Sequence, residues 1–124
     1  FSGHPVGMVA GLAMLKSLTP DALRHLNSLT TRLHGGLTDV FYRRNIDAHV
    51  VSAGSVFSIY FQRESPVIPR DLLDHDTQKA HEFFLSLVNQ GYYLGSGTQM
   101  CSLSLPMDQS HVDGLIDAGE RALS

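Results

Sequence analysis

The feature that most constrains the fold is a change of hydrophobic period near His49. From Leu23 to Phe41 the apolar residues recur at intervals of three and four, which places them on one face of a helix. Beyond His49, Phe57, Ile59 and Phe61 alternate with other residues, and this period of two is typical of a strand with one buried face. Each apolar face must bury against another element. We therefore expect an α+β fold, with a mostly antiparallel sheet and helices on one face.

Two helices are expected before the sheet. The first runs from about Pro5 to Leu18 and is apolar on nearly every face, with glycine at every fourth position. The second begins at an N-cap, Thr19, and extends to about Arg44. Lys16 interrupts the apolar opening after about ten residues, whereas a membrane span needs roughly 20. We therefore expect neither a signal peptide nor a membrane anchor.

Turn and cap residues divide the second half of the chain. Gly54 lies in the turn of a strand pair, and two prolines indicate an irregular connection at residues 64–74. Asp76 is expected to cap the next helix and Gly91 to end it. The remaining expected elements are short strands at 92–94 and 102–105, a turn between them at 95–98, and a last helix that begins at Asp108 or Ser110.

Charge and cysteine content exclude several classes of function. The net charge is −3 at pH 7 and the nine Lys and Arg residues are scattered, so we expect no nucleic-acid partner. No two of the seven histidines lie four residues apart, so the sequence predicts no metal site of the helical two-histidine type. One cysteine cannot form an internal disulfide, which fits a cytoplasmic location. Hydrophobic residues make up 43% of the chain and charged residues 17%, which indicates that part of its surface meets something else.

The chain taken alone is catalytically incomplete. Its two lysines, Lys16 and Lys79, fall inside predicted helices, and nothing near them indicates the desolvation that a Schiff-base lysine needs. Cys101 lies beside a predicted strand without a neighbouring base, which favours a buried small side chain over a nucleophile. We therefore assign no catalytic residue. The loop before Pro5 is a candidate anion site, because a helix N-terminus offers unpaired N–H groups and the positive end of its dipole.

The same opening residues carry a family resemblance. The segment Phe1-Ser2-Gly3-His4-Pro5-Val6, followed by several small residues, resembles the region after the active-site lysine in class III aminotransferases, which are fold-type I enzymes that use pyridoxal phosphate. Further similar segments are Gly54–Phe57, Phe83–Leu94 and Leu103–Leu105. Taken together, the matches are most similar to the glutamate-1-semialdehyde aminomutase branch.

This resemblance implies a C-terminal small domain over residues 46–124, with residues 1–45 as a helical segment that links it to an upstream cofactor-binding domain. In that family, a threonine just before the Phe-Ser-Gly position binds the cofactor phosphate of the neighbouring subunit. A homodimer and a pyridoxal 5′-phosphate cofactor are implied with it. The implied cofactor-binding residues are Phe1, Ser2, Gly3 and His4. The Schiff-base lysine would lie upstream, so this chain alone is expected to be inactive.

The implied substrate is a small amino or keto compound. His4 stands where the aminomutases commonly have asparagine, while many other class III transaminases have histidine. Many of those transaminases also hold a substrate carboxylate with an arginine near the strand at Cys101–Leu105, where this chain has no arginine. Transamination and aminomutation therefore both stay open.

An alternative from another class is a self-sufficient small ligand-binding or interaction domain, with a β-β-α-β-β-α core from His49 onward. It would account for the missing catalytic groups. It does not account for two long N-terminal helices with so much apolar surface, which would then require oligomerisation or invite aggregation.

Overall fold

A computed structural model of the chain describes residues 3–94 and 98–124. Its elements are α1 (Pro5–Ser17), α2 (Pro20–Arg43), β1 (His49–Ala53), β2 (Val56–Tyr60), a 3₁₀ helix (Pro69–Asp74), α3 (Thr77–Asn89), β3 (Cys101–Ser102) and α4 (Gln109–Ala122). The strands form one antiparallel sheet in the order β1-β2-β3, which confirms the predicted α+β class. Within the described ranges, none of the helices combines the length and the hydropathy that a membrane span requires.

Helix α2 begins and ends where its cap residues predict. The Thr19 hydroxyl accepts a hydrogen bond from the Ala22 N–H at 3.2 Å, which pairs one of the unbonded donors of the first turn. At the other end Asn45 has a φ of 52°, and the Ile46 N–H donates to the Phe41 carbonyl at 2.9 Å. The two glycines at 35 and 36 lie within one continuous helix.

The hairpin of β1 and β2 sets which side chains enter the core. Gly54 supplies a φ of 61° in the turn, and Ala53 pairs with Val56 directly beside it. The period of two then places Phe57 and Ile59 in the core, where they are 2% and 0% exposed. Strand β3 extends the sheet by only two residue pairs.

One hydrophobic core joins α2, the sheet, α3 and α4. Its largest fully buried side chains are Phe41, Phe57, Phe61, Leu29, Leu33, Leu37, Ile59, Leu87, Val40 and Val112. Three phenylalanines from α2, α3 and the end of β2 meet there edge to face, with ring centroids 5.3 to 6.4 Å apart. The core therefore includes α2. The division of the chain at residue 45 stays a prediction.

The predicted strand at 92–94 is wrong, because the end of α3 uses its backbone donors. Gly91 has a φ of 89° and donates to the Val88 carbonyl at 2.9 Å, while the Tyr92 N–H donates to the Leu87 carbonyl at 2.9 Å. This pair of bonds is a Schellman motif, which closes the helix and turns the chain away from sheet pairing. The predicted turn at 95–98 falls mainly on residues 95–97, which lie outside the described residues.

Two further segments differ from the sequence prediction. The strand predicted at 102–105 is only Cys101–Ser102, because a turn closed by the Met107 N–H and the Ser104 carbonyl follows directly, at 3.0 Å. The connection at 64–74 contains a 3₁₀ helix rather than being irregular throughout. There Asp71 accepts hydrogen bonds from the backbone N–H groups of Val67 and Ile68, at 2.8 and 3.0 Å, and these bonds hold the pKa of its carboxyl below the ordinary value.

Candidate functional site

The candidate site is the junction between the opening loop and α1. Gly3 has a φ of 79°, a left-handed conformation that glycine adopts without steric cost, and an added Cβ there would meet no atom within 4 Å. His4 is the N-cap, with extended backbone angles of −62° and 124°. Its carbonyl accepts the first helical hydrogen bond from the Met8 N–H at 3.0 Å. Gly3 and His4 are both exposed, so the helix start is accessible to a ligand.

The electrostatics of this junction suit an anion. The first N–H groups of a helix have no intrahelical acceptor, and the His4 side chain caps none of them. Pro5 has no N–H, which leaves the amides of Val6 and Gly7 as the outward donors of the first turn. That turn contains no acidic residue, so nothing on the helix itself neutralises the positive end of its dipole.

Of the four predicted site residues, the structure describes two. Gly3 and His4 are adjacent at the start of α1. Phe1 and Ser2 lie outside the described residues. Cofactor contacts of all four stay a prediction.

The other reactive side chains do not assemble around this junction. Burial raises the pKa of the Cys101 thiol to about 11, and Sγ lies 3.2 Å from the Leu94 carbonyl oxygen, to which the thiol donates. Lys79 lies over the Phe61 ring, with Nζ 5.9 Å from the ring centroid. Among the described residues, no three His, Cys, Asp or Glu side chains are placed to hold a metal ion.

A second feature, which the sequence did not predict, is a cavity of about 480 Å³ between α4 and the segments on either side of β3. Its lining is mainly apolar and includes Phe57, Tyr92, Leu94, Met100, Cys101, Leu103, Met107, Val112 and Leu115. Met100 has a φ of 54°, and its N–H donates to the Ser58 hydroxyl at 3.0 Å, which holds the strained backbone in place. The cavity was not predicted because residues 92–94 were expected to form a strand, which would have continued the sheet.

Comparison with known proteins gives matches over nearly the whole chain. No protein-family model matches it. The chain is 28% identical over 123 residues to a glutamate-1-semialdehyde 2,1-aminomutase of Desulforudis audaxviator (strain MP104C). The aligned residues make up 98% of this chain and 28% of that protein.

Two solved structures have the same fold. An omega-transaminase from Sphaerobacter thermophilus superimposes with a TM-score of 0.87 and 27% identity, over 98% of this chain and 28% of that one. A transaminase solved with PLP bound gives a TM-score of 0.79 at 23% identity, over 97% of this chain and 27% of that one. The chain thus spans little more than a quarter of the length of these proteins. In sequence and in fold, it is similar to the C-terminal part of class III aminotransferases and glutamate-1-semialdehyde aminomutases.

Proposed function

We propose that this chain is the C-terminal part of a pyridoxal-phosphate-dependent aminotransferase or aminomutase. The observation that carries the proposal is the agreement of sequence and fold along 98% of the chain with a much longer aminomutase and a much longer transaminase. A self-sufficient binding domain is not favoured by these matches, which include α1 and α2 as well as the sheet. The substrate would be a small amino or keto compound, and the complete enzyme would be a cytoplasmic homodimer.

The start of α1 fits the phosphate of pyridoxal 5′-phosphate. It is exposed, carries no acidic residue in its first turn, and has backbone donors that no side-chain cap occupies. Gly3 and His4, with Phe1 and Ser2 before them, would hold the phosphate of a neighbouring subunit's cofactor. The cofactor supplies the electron sink for chemistry at the substrate's amino-bearing carbon. The part played by this chain is to neutralise and orient the phosphate, so that the ring is fixed relative to the substrate.

We propose that neither lysine of the chain binds the cofactor covalently. Lys16 lies in the last turn of the exposed helix α1, at the end away from the proposed phosphate site, and Lys79 lies over the ring of Phe61. We therefore propose that the reactive lysine belongs to the remainder of the longer polypeptide and that the 124 residues alone are inactive.

The proposal is tested by the reading frame that encodes this chain. The polypeptide encoded by the complete frame should transfer an amino group from an amino donor to a keto acceptor, or move one within a single substrate, only when pyridoxal phosphate is present. Loss of that activity on replacing one upstream lysine by alanine would support it. A frame that encodes no cofactor domain would contradict it. A soluble, cooperatively melting monomer of residues 1–124 would support the binding-domain alternative instead.

A further inference from the structure

The connection between β2 and α3, residues 61–76, gains little from side-chain burial. None of the residues in its 3₁₀ helix is buried. The large apolar side chains of Val67, Ile68 and Leu73 are 88%, 54% and 83% exposed. A segment with so few buried contacts opens easily unless other bonds hold it. The bonds at its two ends therefore decide whether it stays on the sheet.

Both ends of the connection meet at Phe61. The Phe61 N–H donates to Nδ1 of His75 at 3.0 Å, and the Phe61 carbonyl accepts from the Asp76 N–H at 2.8 Å. The His75 ring also lies edge-on to the Tyr60 ring, with the ring centroids 5.4 Å apart. Phe61 is 1% exposed, so its two backbone polar groups need partners within the protein. His75 and Asp76 supply them and close the loop of residues 62–74.

The first of these hydrogen bonds fixes the protonation state of the His75 ring. Nδ1 of a neutral imidazole has one lone pair, which either accepts a hydrogen bond or binds a proton. The ring that accepts from Phe61 is therefore neutral and carries its hydrogen on Nε2. A proton taken from water at Nδ1 would set two donors against each other. The buried Phe61 N–H would then lose its acceptor.

The titratable groups around His75 leave this bond as the contact that responds to a proton. On β2, Tyr60 presents its ring to the imidazole. Asp76 uses its carboxylate to accept from the Lys79 N–H at 2.9 Å and so caps α3, and Lys79 itself brings a positive charge to the first turn of that helix. Asp74, at the end of the 3₁₀ helix, is exposed. Among the residues that the structure describes, no carboxylate forms an ion pair with the His75 ring.

We propose that His75 is a proton-sensitive clasp. Its neutral ring holds residues 62–74 against the end of β2, and a proton at Nδ1 breaks the bond to Phe61 and opens the connection. Opening takes up one proton, so the clasp is complete at the alkaline side and is lost as pH falls. Histidine is the side chain whose charge ordinarily changes between pH 5 and 8, which sets the range of the response. The clasp depends on contacts within this chain and goes beyond the proposed function.

Hydrogen exchange of the polypeptide encoded by the complete reading frame tests the clasp. Each exchange rate is divided by the rate of an unstructured peptide at the same pH, because intrinsic exchange itself depends on pH. Between pH 8 and pH 5, the amides of Phe61 and Asp76 should lose about tenfold in protection, while those of α2 keep theirs. Equal protection of Phe61 and Asp76 at the two pH values would overturn the proposal. A loss of the same size in α2 would also overturn it, since the whole domain would then be opening.

Two substitutions distinguish the clasp from other effects of acid. The side-chain oxygen of asparagine can take the position of Nδ1 and is not protonated in this range, so His75→Asn should keep the Phe61 amide protected at both pH values. The oxygen of glutamine corresponds to Nε2, so His75→Gln should leave that amide unprotected at both. His81→Asn, at an exposed histidine of α3, is the control and should retain the pH dependence of the unsubstituted protein. A pH dependence that persists in His75→Asn, or disappears in His81→Asn, would overturn the proposal.

Discussion

The Arg43 guanidinium donates to both carboxylate oxygens of Glu120, with N to O distances of 2.7 and 3.2 Å, and so joins the C-terminal ends of α2 and α4. Arg44 lies 3.4 Å from the same carboxylate. Nearer the middle of α2, Arg32 makes a similar two-bond contact to Asp113 on α4, at 2.5 and 2.9 Å. These ion pairs lie along the largest helix contact of the core and fix the rotation of α4 against α2.

Replacing Glu120 tests this contact through pH. The hydrogen bond and charge of Arg43 lower the pKa of the Glu120 carboxyl below 4.5, so the ionised form is favoured in the folded chain. This stabilisation is complete above pH 4.5 and is lost as pH falls through the folded pKa. Glu120→Gln should therefore lower Tm at pH 7 by a small amount, since the pair is exposed, and by less at pH 3. Asp117→Asn, an exposed residue of the same helix, is the control; an equal drop at both pH values would contradict the assignment.

The adjacent glycines of α2 should respond in opposite directions to alanine. Nothing lies within 4 Å of a Cβ added at Gly35, so Gly35→Ala should stabilise the helix by about 0.5–1 kcal/mol. At Gly36 an added Cβ would meet the Ile116 side chain, with Cγ1 at 2.9 Å, and overpacking typically costs about 1–3 kcal/mol. Urea unfolding of both variants measures the difference. Equal free energies of unfolding would show that α4 does not approach α2 here.

The Cys101 thiol should be slow to react. Its pKa of about 11 leaves roughly 100-fold less thiolate at pH 8 than an ordinary cysteine with a pKa near 9. Alkylation by iodoacetamide should therefore be at least that much slower in the folded chain than in urea, with the rate followed by mass spectrometry. A folded chain that reacts as rapidly as the denatured one would identify an activated nucleophile instead of a buried side chain.

The variant His4→Asp should affect helix stability and cofactor binding in opposite directions, so it distinguishes a structural role of His4 from a role in binding the cofactor. An aspartate at the N-cap stabilises a helix, because its carboxylate accepts from the first-turn N–H groups. In the longer polypeptide, the aspartate carboxylate would occupy the proposed phosphate site and repel the negatively charged phosphate. We expect an unchanged or higher Tm for the protein without cofactor, together with at least a tenfold higher Kd for pyridoxal phosphate, which corresponds to about 1.4 kcal/mol.

The matched control for that variant is Gln109→Asp, which adds the same charge at an exposed position in the first turn of α4. It should leave the Kd for pyridoxal phosphate unchanged. If both variants weaken binding equally, the effect is one of overall charge and the site is not at His4.

The helices could be predicted from the sequence because their signals are local. Thr19, Asp76 and Asp108 each accept a hydrogen bond from the first turn of the helix that follows, as their positions before apolar stripes predict. Gly91 and Asn45 end two of those helices through left-handed backbone angles that these residue types tolerate.

The described segments 92–94 and 98–107 were predicted less well, because their structure depends on distant residues. Whether residues 98–107 form strands depends on the Ser58 hydroxyl and the Ser55 carbonyl. These groups bond to Met100 and Leu103, which are 42 and 48 residues away along the chain. Hydrophobic alternation over three or four residues does not contain that information. The cavity beside Cys101 was missed for the same reason.

The candidate site was predicted from the sequence on two grounds, the family resemblance and the anion-binding capacity of a helix N-terminus. The helix start at Pro5 and its unpaired donors follow from local rules, and the structure has them. The assignment of Gly3 and His4 to the cofactor phosphate is a proposal.

The most direct test of the account is the absorption spectrum of the polypeptide encoded by the complete reading frame, compared with that of residues 1–124. After gel filtration, the longer polypeptide should retain close to one pyridoxal phosphate per chain, in a visible absorption band that disappears on borohydride reduction, and the 124-residue chain should retain none. A longer polypeptide that binds no cofactor, although it is folded, would contradict the central claim.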